Sequence, residues 1–253
     1  MKRTSQWKQP RRIESAYQQA LFEFLKSPTD EAANRIASSM VTAVRVRNAQ
    51  GWRAAANEST KSRLIHRLLM QELNGPVGYE VTRLVRENAS RIRTLPLDIA
   101  EKTNAFIASQ QRRGMRSETI TKELQERLPE MQAASVRLLA RTETAKSETA
   151  VTQARAQSIG VHWYQWATSE DGRVRLSHRK MDGVICRFGD DPNPEALAGE
   201  KSTLGHYAPG GCPNCRCLAL PLVSLDEVSW PARVYHNGSI TRMTRKQFER
   251  IAA

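Results

Sequence analysis

All four cysteines of the 253-residue chain, Cys186, Cys212, Cys215 and Cys217, fall within one short stretch, and two of its five histidines, His178 and His206, share it. The run Cys212-Pro213-Asn214-Cys215-Arg216-Cys217 is compact enough for two or three thiolates to face one cation, because a turn through Pro213 and Asn214 folds the first sulfur back toward the last. Zinc is the usual occupant of such a set, since it takes four soft or borderline donors in a tetrahedron. Further ligands would come from Cys186, His178 or His206. Disulfides and unliganded buried thiols are the alternatives. A disulfide needs an oxidising compartment, and the opening MKRTSQWKQPRR, followed by the amphipathic ALFEFL, lacks the uninterrupted apolar core of a secretory signal.

The elements around this stretch carry a pattern of their own. Ala140-Arg141-Thr142-Glu143 is followed by Gly160, Trp163 and Trp166, then by Asp171-x-Arg173-Val174-Arg175-x-Ser177-His178, Met181-Asp182-Gly183, and finally Pro213-Asn214-Cys215-Arg216-Cys217. In this order and with these gaps the chain resembles the phage Mu F-like family, the minor head or head morphogenesis proteins of tailed bacteriophages. The resemblance implies a low-copy internal head component that joins the portal or procapsid in the host cytoplasm and is then housed in the virion. Its partners would be the portal protein and a major capsid or scaffolding protein. One position departs from the pattern: the family's last block commonly opens on His, and here that residue is Cys212. The exchange keeps a metal donor and removes a proton-transfer group, which favours a structural metal over a catalytic one.

Arg141 and Glu143 are two apart on a helix and do not point the same way, so each needs a partner from elsewhere. Pairing of Glu143 with Arg173 or Arg175, and of Arg141 with Asp171 or Asp182, would staple the helix to a β hairpin and spare each charge an unpaired burial. The alternative to a structural role is a metal-dependent nuclease in which His178, Asp182 and His206 cut phosphodiesters while the cysteines hold zinc; a close carboxylate cluster is missing from the sequence. A general DNA-binding adaptor is the third reading.

Charge narrows the partners. The formal net charge is +13 and the sequence pI about 10.1. Such an excess attracts polyanions regardless of fold, so non-specific contact with double-stranded DNA through its phosphates is expected. No run of eighteen apolar residues exists, which excludes a membrane-spanning helix of ordinary length.

The fold class expected is α+β: a predominantly helical region over 1–129, a small mixed α/β domain with the Cys/His zinc site over 130–224, and a hairpin-helix docking tail over 225–253. Ile13, Ala16, Tyr17, Ala20, Leu21, Phe24 and Leu25 give a first helix that stops before Pro28, and Thr29 caps a second with Ile36, Met40 and Val44 on its stripe. Leu64, Ile65, Leu68 and Leu69 mark a third, ended at Gly75-Pro76, and Val77 to Ile92 a fourth. Pro96 then opens a helix to about Arg113, Ser117 caps a short one bounded by Pro129, and a long helix follows over about 130–158. Strands are expected at VHWYQWAT, Arg173-Val174-Arg175 and CLALPLV, one helical turn capped by Ser177, and an ordered-on-demand loop over 190–209. Asn237-Gly238 makes a two-residue hairpin, and Thr244 caps a last basic helix.

Overall fold

The computed structural model describes residues 10–57 and 62–252. The opening segment up to residue 9, on which the expected absence of a leader rests, lies outside the described residues. The fold is α+β, with a bundle of long helices set against a five-stranded mixed sheet.

Helices α1 (Arg11–Lys26) and α2 (Asp30–Asn57) follow the expected rhythm, and Thr29 Oγ1 accepts from the Ala32 amide at 3.1 Å as the cap of α2. Helix α3 (Ser62–Gln71) passes through one 3-10 turn, Glu72–Asn74, into α4 (Pro76–Arg112), where Pro76 occupies the first turn and loses no hydrogen bond. Two expected breaks are absent. Pro96 lies inside α4, and Pro129 inside α5 (Ser117–Ser158), so Ser117 begins α5 without capping it. A proline costs a helix one bond and some bending. Here each helix recovers that cost by laying a continuous apolar face on its neighbours: Leu84, Ala89, Ile92, Leu95 and Ile99 of α4 meet Val136, Ala140 and Val151 of α5 over Tyr17, Leu21, Phe24, Met40, Val41 and Val44. Pro129 is also exposed, which leaves the carbonyl it frees near water.

Helix α5 therefore runs unbroken past residue 129, and its last turns carry the sheet. Strands β1 (Trp163–Ala167), β2 (Ile185–Arg187), β3 (Leu218–Pro221), β4 (Ala232–His236) and β5 (Ser239–Met243) lie in the order β3-β1-β2-β4-β5. Only β2 and β4 run parallel; Ile185 sits opposite Val234. The hairpin of β4 and β5 thus extends the sheet, and Asn237 and Gly238, both at positive φ (50° and 75°), form its turn. Alternation sends Trp163, Ile185, Leu222 and Val234 to one face, where α8 (Arg245–Ala252) covers them with Phe248. Tyr164, Trp166, Cys186, Ala219 and Tyr235 go to the other, against Trp52, Ile65 and Ala156 of the helices. Thr244 and Gln247 form a reciprocal capping box at the start of α8.

The expected strand at Arg173-Val174-Arg175 is a turn, which leads into α6 (Leu176–Met181) with Ser177 inside it rather than capping it. A strand needs a neighbour, and the place beside β1 is taken by β2. The segment 190–209 is likewise built: Asn193 Oδ1 accepts from the Ala196 amide at 3.0 Å and starts α7 (Pro194–Ala198).

A buried polar cluster joins α2, the 3-10 turn and α5. The Arg155 guanidinium, fully buried, bonds Glu72 Oε2 at 2.6 Å, the Arg45 carbonyl at 3.1 Å, and Asn48. Asn48 in turn donates to Glu148 Oε1 and Thr152, both at 2.8 Å. Nothing in the local sequence announces this cluster, because its members come from three distant segments.

Candidate metal centre

Helix α6 aims His178 into the protein because Ser177 and Met181 on the same side are buried with it. The loop after Pro209 comes back beneath that ring. It is held there by close backbone approach: Gly210, at φ 83°, lies so near α5 that a Cβ would meet the Ala145 carbonyl oxygen at 2.8 Å, and Thr149 donates to the Pro209 carbonyl at 2.6 Å. Asn214, at φ 59°, then turns the chain so that Cys212, Cys215 and Cys217 face inward.

His178, Cys212 and Cys215 each offer a donor atom, all within 4.8 Å of one another. The Cys217 and Cys215 sulfurs lie 3.3 and 3.6 Å from His178 Nδ1, and the Cys212 sulfur 3.7 Å from Nε2. Neighbouring donors of a four-coordinate cation with bonds of about 2.3 Å to sulfur and 2.0 Å to nitrogen are about 3.6 Å apart, so Cys215 and Cys217 stand at ligand spacing from Nδ1, with Cys212 within 4.8 Å of the His178 and Cys215 donors. All four residues are nearly sealed from solvent, at 2–4% exposure. The cysteines form no disulfide.

One cation takes one ring nitrogen, and the surrounding hydrogen bonds choose it. Tyr207 Oη donates to Glu195 at 2.7 Å, so at 2.9 Å from His178 it accepts from the Nε2 proton. The lone pair is then on Nδ1, facing Cys215 and Cys217. This carboxylate–tyrosine–histidine chain is the outer support that metal-bound histidines ordinarily have. Ser177 adds a bond to Glu195 at 3.2 Å. Sequence reasoning misses Tyr207 and Glu195; the Asn193-Pro194 helix start is the one sequence signal that 190–209 is ordered.

Charge and burial pull the Cys212 thiol in opposite directions. Arg175 reaches the Cys212 sulfur at 2.7 Å and the Pro213 carbonyl at 2.9 Å. With no ion bound, the hydrogen bond to Cys215 and burial push the Cys212 thiol up to about 12. Burial works to lower His178, but its bonds to Cys212 and Cys215 outweigh it and push the imidazole up to about 9. A cation must displace these protons, so its affinity rises with pH.

Two expected ligands lie elsewhere. Cys186 is on β2 opposite Tyr164 in the core, where burial pushes its thiol up to about 12. His206 is exposed, with Nδ1 2.8 Å from the Asp191 carbonyl. Asp182 accepts from the amide and hydroxyl of Thr168 at 2.7 and 2.9 Å. The nuclease set His178, Asp182 and His206 is therefore not gathered; among the described residues the only such group is His178, Cys212 and Cys215. A cavity of about 80 Å³ adjoins Cys215 and Cys217, too small for a polymer substrate.

The expected ion pairs are also redistributed. Arg141 meets Glu14 at 3.2 Å and Asn214 Oδ1 at 3.3 Å, while Glu143 pairs with Lys146 one turn along at 3.3 Å. Asp171 takes Arg216 as a bidentate partner, with Arg173 more distant at 3.8 Å, and Arg175 serves Cys212. With the hairpin at 173–175 replaced by a turn, the staple from α5 runs to the cysteine loop instead. The Asn214 amide completes it, donating to Thr142 at 3.2 Å.

Arg141, Thr142, Asp171, Arg175 and His178 of the sequence pattern thus meet the cysteine loop, and residues 104–220 match the family model described as phage Mu protein F like protein. Over these residues the chain is Mu F-like. The Mu F-like segment takes in the end of α4 and all of α5, then runs to β3; β4, β5 and α8 lie beyond it. The chain is also similar to a protein of Haemophilus influenzae described as uncharacterized, 24% identical over 233 residues, which are 92% of this chain and 47% of that protein. It spans about half the length of that relative. No solved structure matches. Among the described residues no helix is long and apolar enough to cross a membrane.

Proposed function

We propose that the protein is a structural minor head protein of a tailed phage, acting in head assembly at the portal or procapsid interior, with zinc in the Cys/His cluster. The observation that carries this reading is a sealed Cys/His cluster inside the segment that matches the Mu F-like family model. Buried donors with no room for a polymer suit a structural ion, and zinc is the common cation for sulfur-rich tetrahedral sites. The ion would fasten α6 to the cysteine loop and so pin a small sheet onto α5. Its partners would be the portal protein and a major capsid or scaffolding protein, and its place the host cytoplasm during assembly and then the virion interior.

The charge of +13 supports non-specific contact with double-stranded DNA, which a protein housed beside a packaged genome would make. In a lysate of cells making the particles, antibody against the chain should find it sedimenting with procapsids and heads. A signal confined to the unassembled fraction, with heads free of it, would refute the assignment.

A further inference from the structure

We propose that the outer hairpin of the sheet, through Arg233 and Arg242, is where the double-stranded DNA backbone lands; this rests on the DNA-contact reading above. Arg233 of β4 and Arg242 of β5 stand directly opposite each other in the antiparallel register. Both are exposed, whereas the nearby Lys180 ammonium is held by the Ala198 carbonyl at 3.1 Å. Like charges placed opposite on a sheet repel. Among the described residues neither arginine is in one of the close ion pairs.

The arrangement is nevertheless fixed. The Arg233 guanidinium donates to the Lys180 carbonyl at 2.9 Å and to the Asp182 carbonyl, closing the end of α6. These bonds hold the guanidinium in place and draw the Lys180 backbone alongside it. Arg242 is next to this anchored cation on β5, the outermost strand of the sheet. A basic residue on an edge strand also discourages strand addition. That role asks for one charge on β5, and tethering α6 accounts for Arg233; neither calls for a like charge directly opposite. A guanidinium fork matches phosphate oxygens in two parallel bonds, which Arg242 can offer, while Arg233 adds its charge and its remaining N–H groups. A phosphate between them would convert the repulsion into attraction.

The test uses Arg242→Glu in the full chain and a double-stranded 30-base-pair oligonucleotide of arbitrary sequence, followed by fluorescence anisotropy across a salt series. The introduced carboxylate would pair with Arg233, so two phosphate contacts are lost together. Each contact contributes about 0.9 to the salt slope, so the slope should flatten by about 2 and affinity at about 0.1 M salt should fall on the order of 50-fold. The melting temperature should hold or rise, because an opposed like-charge pair becomes an ion pair, and this separates the effect from misfolding. Arg137→Glu, an exposed site on α5 with the same change in net charge, should cost far less. Equal losses in the two variants, or binding unchanged by Arg242→Glu as expected if the patch serves an acidic protein, would overturn the proposal while leaving DNA contact standing. Wild-type protein that does not bind the oligonucleotide would overturn both.

Discussion

Removing the ion from the Cys/His cluster should lower the melting temperature by an amount that follows from linkage. An ion present at about 1,000 times its dissociation constant stabilises the folded chain by about 4 kcal/mol. A chain of this size shifts by about 2–4 °C per kcal/mol, so protein stripped by a chelator should melt about 8–16 °C lower and recover when zinc is returned. Elemental analysis should find one zinc per chain. Cys215→Ser removes a donor that lies 3.6 Å from His178 Nδ1 and should melt like the stripped protein, indifferent to added zinc. Cys186→Ala serves as the internal control, because that thiol is opposite Tyr164 and outside the cluster; the variant should lose some stability to a small cavity yet keep its full response to zinc. The reasoning fails if the purified protein carries no metal and chelation leaves the melting curve of the wild type in place.

Three further outcomes follow from buried groups. Tyr207→Phe removes the hydroxyl between His178 Nε2 and Glu195 and should weaken zinc about 10–100-fold in a competition titration without unfolding the chain; unchanged affinity would show that the tyrosine does not orient the ring. Arg155→Met leaves Glu72 with Arg45 as its remaining cation at 2.6 Å and strips Asn48 Oδ1 of its donor, and should cost about 1–3 kcal/mol in urea unfolding, whereas no loss would mean the cluster is dispensable. Burial raises the Glu148 carboxyl above its ordinary value, against the pull of Arg47, the Asn48 bond and Arg155, so the charged form destabilises the fold. That penalty is full above the raised folded value and disappears as pH falls to the unfolded value of about 4.3. Glu148→Gln should therefore be more stable than wild type in urea at neutral pH, with the gap closing on acidification; a gap independent of pH would contradict the assignment.

What could be read directly was local. Thr29, Thr244 and Gln247 cap helices because capping is a matter of three or four adjacent residues, and Asn237-Gly238 specifies its own hairpin for the same reason. The apolar rhythm placed the helices but not their ends. Pro96 and Pro129 are strong local stop signals, and both were overridden by faces packed along most of α4 and α5. The Arg173-Val174-Arg175 run has strand composition, yet a strand exists only where a neighbour offers unpaired backbone, and β2 holds that place.

The cluster divides along the same line. The Cys-x-x-Cys-x-Cys spacing is compact enough to bring two or three of Cys212, Cys215 and Cys217 together on one tight loop. Which residue faces them was decided in three dimensions. His178 and Cys186 are about equally near in sequence, but α6 turns the histidine inward over the loop while the alternation of β2 sends the cysteine into the core opposite Tyr164. Tyr207 and Glu195 join the histidine, and Arg175 joins Cys212, because α7 and the following loop pack back onto α6. Spacing fixes what adjacent side chains can do; long-range packing fixes which distant ones they meet.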